Sequence, residues 1–385
     1  MEIICNQNEL NNAIQLVSKA VASRPTHPIL ANILLTADLG TSKISLTGFD
    51  LNLGIQTSFD GTVKNSGAIT IPSKLLSEIV NKLPYETPVS IEVDINSDNI
   101  LIKSDRGSFN LKGIPSDDFP NLPFVESGTS LDIDPSSFLK ALKSTIFSSS
   151  NDDSKQLLTG VNFTFKQNYL ESASTDGHRL AVALVGKEKF IENKNDSPSN
   201  GDDLSVTIPT RSLREIEKLV SLKSTENSIK LFYDKGQVVF ISSSQIITTR
   251  TLEGTYPNYS QLIPDNFSKI FNFNTKQLID ALERIAVLAD QQSSVVKIKL
   301  DNTDLASISA DAQDIGNAKE SISVSYSGEN FDIAFNVRYL LEGLKVIASE
   351  NVLLKCNIAT TPAVFVPEDN LNSFTYLVMP VQIRS

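Results

Sequence analysis

An acid, a histidine and an arginine stand together in the stretch STDGHRLAVA, residues 174–183. Asp176 and His178 are residue types that serve general acid–base or hydrolytic catalysis, and the chain has only two histidines. Such catalysis needs a nucleophile or a second titrating group within hydrogen-bond reach of the imidazole. The stretch is therefore either part of an active site or a turn with a shape that something else binds.

No other motif in the sequence completes an active site around Asp176 and His178. There is no G-x-S-x-G elbow, no H-E-x-x-H pair, no Walker phosphate loop and no G-x-G-x-x-G turn. The second histidine, His27, lies far away in RPTHPIL. Cys5 and Cys356 are too few and too isolated for a disulfide framework or a zinc site, and we expect them to be thiols in a reducing cytosol. We expect no catalysis, no metal and no cofactor.

Length and composition narrow the class of protein. The chain has 385 residues, enough for two or three domains, and 40% of them are hydrophobic. It has no apolar run of about 18 residues and no signal-peptide pattern, so we expect a cytoplasmic protein without a membrane partner. The net charge of −11 argues against tight electrostatic binding to nucleic acid. A function on DNA would therefore need another way to hold the DNA.

The chain repeats itself three times, which places the candidate site in a common framework. A short alternating strand, a polar capping residue and a helix-spaced apolar pattern begin near Met1, Ser130 and Ile270. A second strand–helix pair and a hairpin motif follow in each repeat. TGFDL in the first repeat and ADAQ in the third occupy the position of STDGHRL in the second. This position is therefore primarily a strand-to-turn element, and Asp176-Gly177 suits a turn.

The repeat predicts an α+β fold of three domains, each with two helices and antiparallel sheets. The predicted domains are 1–125, 129–263 and 268–385, and the polar stretch 186–203 is predicted to be a loop of the middle domain. The helices carry a net positive charge while the rest of the chain holds the acidic excess, so DNA would lie against the helices if DNA is the partner. The six helices are predicted over residues 9–23, 73–83, 135–149, 210–220, 275–290 and 337–349.

Six stretches together resemble the bacterial β sliding clamps, the processivity subunits of DNA polymerase III. They are SRPTHPILANILL, SLTGFDLNL, STDGHRLAVA, EGTYPNY, FNVRYLLEGL and the terminal YLVMPVQIRS, and the resemblance runs over essentially the whole chain. It implies three domains of the DNA clamp fold, assembled head to tail as a homodimer that closes into a ring around double-stranded DNA. It also implies a protein that tethers the polymerase III catalytic subunit, the clamp loader and other clamp-motif proteins for processivity.

The resemblance further implies three sets of functional residues. The subunit interface would join Phe109 and Leu111 of one copy to Val287 and Leu288 of the other. Residues on or next to the helices would face DNA, namely Arg24, Lys74, Lys140, Lys143, Arg211, Arg214 and Arg338. A pocket for partner peptides between domains two and three would be lined by Leu158, Thr175, Gly177, His178, Arg179, Leu180, Pro257, Leu262, Val364, Leu377, Val378, Met379 and Pro380.

Two departures from the family pattern and two alternative functions remain. Gln261 stands where relatives often have a basic residue, and the tail reads MPVQIRS, so that Arg384 has no safe counterpart. One alternative is an enzyme that uses Asp176 and His178, which would need a nucleophile near His178. The other is a monomeric repeat scaffold that does not encircle DNA, which a solution mass of one subunit would favour.

Overall fold

The computed structural model describes most of the chain. Gln313, Arg384 and most of the stretch 186–203 lie outside the described part. The described residues are 1–94, 97–105, 107–125, 129–166, 169–186, 190–193, 204–222, 228–234, 236–242, 244–289, 293–301, 304–312, 315–326, 329–371 and 373–382.

Two helices occur in each repeat, close to where the apolar periodicity predicts them. Asn336 caps the sixth helix by accepting the backbone N–H groups of Arg338 and Tyr339 at 2.9 and 3.4 Å. This helix is shorter than predicted, because the chain leaves it at Leu344 and turns. Within the described residues the α-helices are α1 Gln7–Val17, α2 Ser73–Lys82, α3 Pro135–Thr145, α4 Thr210–Leu222, α5 Thr275–Ala289 and α6 Val337–Leu344.

Several strands, such as Glu2–Asn6 and Asn351–Cys356, alternate buried and half-buried residues, the pattern of sheets with one face on a core. Part of the stretch 186–203 is a strand rather than a loop, so that prediction was wrong for residues 190–193. The strands are β1 Glu2–Asn6, β2 Asn32–Asp38, β3 Lys43–Phe49, β4 Leu53–Asp60, β5 Thr62–Asn65, β6 Gly67–Pro72, β7 Pro88–Asp94, β8 Asn99–Lys103, β9 Ser108–Lys112, β10 Thr129–Ile133, β11 Gly160–Phe165, β12 Tyr169–Thr175, β13 Arg179–Gly186, β14 Phe190–Asn193, β15 Leu204–Pro209, β16 Ile229–Asp234, β17 Gln237–Ser242, β18 Gln245–Arg250, β19 Lys269–Asn274, β20 Val295–Leu300, β21 Leu305–Ala312, β22 Gly316–Ser323, β23 Phe331–Asn336, β24 Asn351–Cys356, β25 Ala363–Pro367 and β26 Phe374–Val378.

The strands form four sheets in two compact units. The unit that contains the first repeat has a five-stranded sheet, β5-β1-β7-β8-β9, and a nine-stranded sheet, β14-β10-β16-β17-β18-β4-β3-β2-β6. The unit that contains the third repeat has an eight-stranded sheet, β15-β11-β12-β13-β26-β25-β24-β19, and a four-stranded sheet, β22-β21-β20-β23. The middle repeat contributes strands to both units. The α+β class with antiparallel sheets that the sequence predicted is confirmed.

Each repeat builds the same two sheet halves. The half that begins with the strand before the first helix of the repeat is called the outer half. It is β1-β7-β8-β9 in the first repeat, β10-β16-β17-β18 in the second and β19-β24-β25-β26 in the third. The half that begins with the strand before the second helix is called the inner half, and it is β6-β2-β3-β4, β15-β11-β12-β13 and β23-β20-β21-β22. The last strand of one half pairs with the last strand of another: β4 with β18, and β13 with β26, both antiparallel. Sheet hydrogen bonds thus run across the repeat boundaries.

The buried core of the second unit contains several aromatic rings among its aliphatic side chains. Phe271, Phe335, Phe365 and Tyr376 are almost completely buried under α5 and α6. Tyr376 donates a hydrogen bond from its hydroxyl to the Tyr339 carbonyl at 2.7 Å, so its polar atom is satisfied inside the core. Among the described residues, no helix is both long and apolar enough to cross a bilayer.

Candidate functional site

The stretch 175–179 is a tight turn between β12 and β13. Asp176 Oδ1 accepts the backbone N–H groups of His178 at 2.8 Å and Arg179 at 3.1 Å. The Thr175 hydroxyl donates to the Arg179 carbonyl at 2.6 Å and accepts the Gly177 N–H at 3.1 Å. Gly177 has φ +94°, a conformation that glycine adopts without strain. The Asp176 carboxylate therefore forms the turn, as its type and position predicted.

The Arg179 side chain fastens this turn to two neighbouring elements. Only 7% of the residue is exposed. Its Nε donates to Asp176 Oδ2 at 3.1 Å, one Nη donates to the Glu342 carboxylate of α6, and the other donates to the Phe147 carbonyl at 2.7 Å. The guanidinium also lies over the Tyr339 ring, 4.4 Å from its centroid. Because these donors are engaged inside the protein, Arg179 supports the turn rather than presenting its charge to a ligand.

An apolar surface adjoins the turn on one face of the eight-stranded sheet. Its buried members are Ala173, Leu180, Val182, Val364, Val366 and Leu377. Tyr259, Ile263 and Phe267, from the chain that follows β18, pack against these residues. Leu262 is 53% exposed and Met379 is 38% exposed. Large apolar side chains thus lie exposed to solvent beside a buried apolar floor, a composition that suits a binding groove, and we call this surface the groove.

All the residues that the resemblance assigned to the peptide pocket lie in this second unit, although their exposure differs. Thr175, Arg179, Leu180, Val364, Leu377 and Val378 are buried, Leu158 and Pro380 are half-buried, and Gly177, His178, Pro257, Leu262 and Met379 are exposed. The exposed and half-buried members offer contact surface, whereas the buried members form the floor and hold its shape.

Strand pairing and a few hydrogen bonds bring the distant segments to the turn. β13 pairs with β26, which sets Arg179 opposite Val378 and Leu180 opposite Leu377. The Met379 N–H donates to the His178 carbonyl at 2.9 Å. Lys155 Nζ donates to the Asp176 carbonyl at 3.4 Å, which places the segment that carries Leu158 beside the turn.

Sequence reasoning did not single out the tyrosines of this site. The Tyr256 hydroxyl accepts the Thr175 N–H at 3.2 Å, and the Tyr259 hydroxyl donates to the Glu171 carboxylate at 2.5 Å. Burial raises the pKa of Tyr256 to about 12. Burial and the hydrogen bond to Glu171 also raise the pKa of Tyr259. Both phenols are therefore neutral hydrogen-bonding groups at physiological pH. Their sequence signal was the stretch EGTYPNY, whose two tyrosines flank the predicted Pro257.

The first repeat contains the same turn, but with apolar packing where the second repeat has polar contacts. Asp50 Oδ1 accepts the N–H groups of Asn52 and Leu53 at 3.0 and 2.8 Å, and Leu51 has φ +75° where the second repeat has Gly177. Phe49 stands at the position of Thr175 and packs with the buried residues Ile29, Leu30 and Phe119. A Cβ on Gly54 would lie 2.4 Å from a Leu122 methyl group. Side-chain identity rather than fold therefore distinguishes the two turns, since Phe49 packs into an apolar cluster where Thr175 makes hydrogen bonds.

The other predicted functional residues are accessible within their own units. All the basic residues predicted to face DNA are exposed; Lys74, Lys140, Lys143, Arg211, Arg214 and Arg338 lie on helices, and Arg24 lies beyond α1. On the edge strand β9, Phe109 is exposed and Leu111 half-buried; near the end of α5, Val287 is 69% exposed and Leu288 half-buried. The described side chains contain no cluster of acidic, histidine or cysteine residues suited to a metal ion.

Comparison with known proteins agrees with this architecture. Family models of the N-terminal, central and C-terminal domains of the DNA polymerase III beta subunit match residues 1–123, 132–258 and 260–382 in that order. The fold is that of a three-domain sliding clamp. The beta sliding clamps of Synechococcus elongatus and a Synechocystis strain are 45% and 41% identical to this chain, and each alignment covers all of both sequences. The crystal structure of the sliding clamp from Bacillus subtilis superimposes with a TM-score of 0.88 at 29% identity over the whole of both chains.

The chain belongs to the DNA polymerase III beta subunit family, the beta sliding clamps. The family assignment that the sequence motifs indicated is therefore confirmed. The alternative of a monomeric repeat scaffold receives no support from these relatives.

Proposed function

We propose that two copies of this chain close head to tail into a ring that encircles double-stranded DNA in the cytoplasm and tethers the replicative polymerase. The observation that supports this assembly most directly is the order of the strands in the sheets of the three repeats. The last strands of the inner halves are β4, β13 and β22, and those of the outer halves are β9, β18 and β26. β4 pairs with β18 and β13 pairs with β26, so that of these six strands β22 and β9 are the two at sheet edges. Edge strands of this kind invite pairing with another chain.

Pairing β22 of one copy with β9 of the next would repeat the junction that the chain makes twice internally. Such a contact joins different surfaces of the two copies, and it yields a ring when the rotation closes. Two copies would supply six domains and two identical contacts. Phe109 and Leu111 on β9 would then meet the exposed end of α5, where Val287 and Leu288 lie, because α5 packs on β21 and β22.

Encirclement also reconciles the acidic chain with a DNA partner. The net charge of −11 would repel phosphates from most of the surface, while the exposed basic residues of the helices would attract them. Retention by a closed ring needs no tight contact. Weak phosphate contacts would let the ring slide, whereas strong ones would hold it in place.

The internal junctions also predict the register of the contact between subunits. In each repeat a backbone N–H just beyond the last strand of the outer half donates to a carbonyl on the first strand of the inner half. These bonds join Ile114 to Thr70, Leu252 to Thr207 and Val381 to Ala334, at 3.1, 2.8 and 2.8 Å. The residue four positions earlier is Asn110, Thr248 or Leu377. Thr248 pairs with Gly54, and Leu377 pairs with Leu180.

The partner of Asn110 follows from the turn motif. Gly54 lies opposite Phe49, Leu180 opposite Thr175 and Ala318 opposite Ala310 within their hairpins. Phe49, Thr175 and Ala310 each precede the aspartate of the turn motif. Asn110 of one copy should therefore face Ala318 of the other.

A disulfide cross-link tests this register. Opposite residues of antiparallel strands have Cα atoms about 4.5–5.5 Å apart, within the range of a disulfide. The double variant Asn110→Cys/Ala318→Cys should form a covalent dimer on oxidation, seen as a band of doubled mass without reductant. The matched control Asn110→Cys/Ser323→Cys displaces one thiol by five residues along β22 and should stay largely unlinked. Equal yields for both pairs would contradict the register, and no covalent dimer from either would contradict the β9–β22 contact.

We further propose that the open groove of the second repeat binds an extended partner peptide with two large apolar side chains. The groove supplies an apolar floor and the exposed Leu262 and Met379 side chains. Burying two large apolar side chains gives about 3–6 kcal/mol, and each backbone hydrogen bond adds about 1 kcal/mol. With about two to five such hydrogen bonds the sum reaches the roughly 8 kcal/mol of a micromolar dissociation constant. Exchangeable binding of this strength suits a platform that serves several partners in turn.

Single substitutions test the groove better than removal of the tail. Deleting the chain from Met379 would also remove the Val381 hydrogen bond to β23, which the fold of the third repeat uses. Leu262→Ala and Met379→Ala should each weaken binding of a polymerase-derived peptide about threefold to tenfold, the loss of part of one buried apolar side chain. Ile358→Ala, an exposed residue outside the groove, is the control. Calorimetry that finds all three variants equal to the wild type would show that the peptide binds elsewhere.

The proposal includes no chemical reaction. The Asp176 carboxylate accepts hydrogen bonds from the backbone of the turn and from the Arg179 side chain, so it does not serve as the orienting acid of a catalytic histidine. His178→Ala should weaken peptide binding modestly. A hydrolytic activity of the wild type that disappears in this variant would instead favour the enzyme alternative.

A further inference from the structure

Arg179 joins three elements that are distant in the chain. It belongs to the turn at the peptide groove, and its guanidinium contacts the Phe147 carbonyl and ring beyond α3 and the Tyr339 and Glu342 side chains of α6. Arg179 and Glu342 are 163 residues apart in the sequence. The buried Arg179 cation thus links the turn of the second repeat to a helix of the third repeat, beside the stacking of His178 on Tyr339.

Glu342 differs from Asp176, the other carboxylate that pairs with Arg179, because it comes from the third repeat. Asp176 and Phe147 belong to the second repeat and would remain near Arg179 without the third, whereas Glu342 comes from α6. Its side chain is about half exposed, while the Arg179 side chain is buried. A buried guanidinium that loses one of its acceptors has to find another or shift toward water, because an unpaired buried charge is costly.

A shift of the Arg179 side chain would also displace the backbone of the turn beside the groove. The Arg179 N–H and Nε both bind Asp176, and the Arg179 carbonyl accepts from Thr175. The neighbouring His178 carbonyl accepts the Met379 N–H, which sets the position of an exposed groove residue. The path from Glu342 to Met379 therefore consists of direct hydrogen bonds and one peptide unit.

We infer that Glu342 is a positioning residue for the partner-peptide groove: through Arg179 it fixes the turn that sets Met379 and the backbone around it. This inference rests on the proposed binding function of the groove. The peptide itself would not touch Glu342. Removing its carboxylate should raise the cost of binding, because the groove would no longer be held in its binding conformation.

The test compares two surface glutamates of the same unit. Glu342→Ala removes one of the acceptors of Arg179 and leaves Asp176 and the Phe147 carbonyl. Glu283→Ala removes the acceptor of Lys345, an ion pair of 2.6 Å whose carboxylate is also about half exposed. We expect Glu342→Ala to weaken peptide binding about fivefold to tenfold and Glu342→Gln, which keeps an acceptor oxygen, to recover part of the loss. Glu283→Ala should stay within about twofold of the wild type.

A second measurement does not depend on the peptide. Hydrogen exchange of the Met379 amide, whose acceptor is the His178 carbonyl, should be faster in Glu342→Ala than in Glu283→Ala, while dimer mass and the melting temperature stay close to those of the wild type. Wild-type affinity and wild-type exchange in Glu342→Ala would overturn the inference. So would a loss of affinity matched in Glu283→Ala, since any lost ion pair would then have the same effect. A wild-type protein that binds no peptide would overturn the groove proposal instead, and the exchange experiment would still decide whether Glu342 positions Met379.

Discussion

Replacing Val287 by aspartate should convert the dimer into folded monomers. Val287 lies near the end of α5 and is 69% exposed in a single chain, so a charged side chain there meets water and the fold tolerates it. In the proposed ring the same side chain would be buried against β9 of the other subunit. A carboxylate buried there without a partner costs about 3–5 kcal/mol.

The ring geometry doubles this cost. A head-to-tail dimer has two identical contacts, and the substitution is present in both. The total of about 6–10 kcal/mol corresponds to a dimer dissociation constant raised by about four to seven orders of magnitude. Even a nanomolar dimer would then dissociate substantially at micromolar concentration. Sedimentation at that concentration should report the mass of one subunit.

Ile358→Asp is the matched control for Val287→Asp. Ile358 is 57% exposed and belongs to the same unit, but it lies in the turn between β24 and β25 rather than on α5. It should remain a dimer with an unchanged melting temperature. A dimeric Val287→Asp variant would refute the placement of α5 at the contact. If both variants became monomeric, the effect would come from added charge in general rather than from this site.

Two predictions concern the interior of the protein. A Cβ on Gly343 would lie 2.0 Å from the buried Tyr376 ring, so Gly343→Ala should lower the free energy of unfolding by about 1–3 kcal/mol, measured by thermal melting. Gly40→Ala is the control, because the atom nearest to its added Cβ would be 3.5 Å away, and its free energy of unfolding should not change. Burial raises the pKa of the Cys5 and Cys356 thiols to about 12, from a usual value of 9.0. The folded state therefore keeps protons that the unfolded state loses above pH 9, and the denaturant midpoint should fall as pH rises from 9 toward 12. At pH 8 both thiols should react with a thiol reagent only after denaturation, and rapid labelling of the native protein would contradict their burial.

The sequence was sufficient for the repeat, the fold class and the helix starts, because these depend on local patterns. Apolar spacing and the polar residue Asn336 predicted the start of α6, where Asn336 is the cap. Asp176 likewise predicted the turn that its carboxylate forms. The end of α6 was placed too late, since the apolar pattern continues through residues that the structure places in a turn. The strand β14 inside a polar stretch was missed because its pairing with β10 is a tertiary choice.

The arrangement of the site depends on contacts that no local pattern reveals. The sequence placed Arg179 at the pocket, but its burial against Glu342 and Tyr339 follows from the pairing of β13 with β26. Likewise, the first repeat has the same aspartate turn as the second, and only the structure shows that Phe49 packs into an apolar cluster there. The pocket residues were assigned by family resemblance, whereas their burial and strand pairing were visible only in the structure.

The most direct test of the account is the retention of the loaded protein on DNA of different topology. The protein should be loaded with a clamp loader onto nicked circular DNA and then washed in salt high enough to strip proteins held by phosphate contacts, whose binding falls steeply with salt. A closed ring should persist on the intact circle and leave within the wash once a restriction enzyme linearises it. Equal retention on circular and linear DNA, or complete loss from both in high salt, would contradict encirclement.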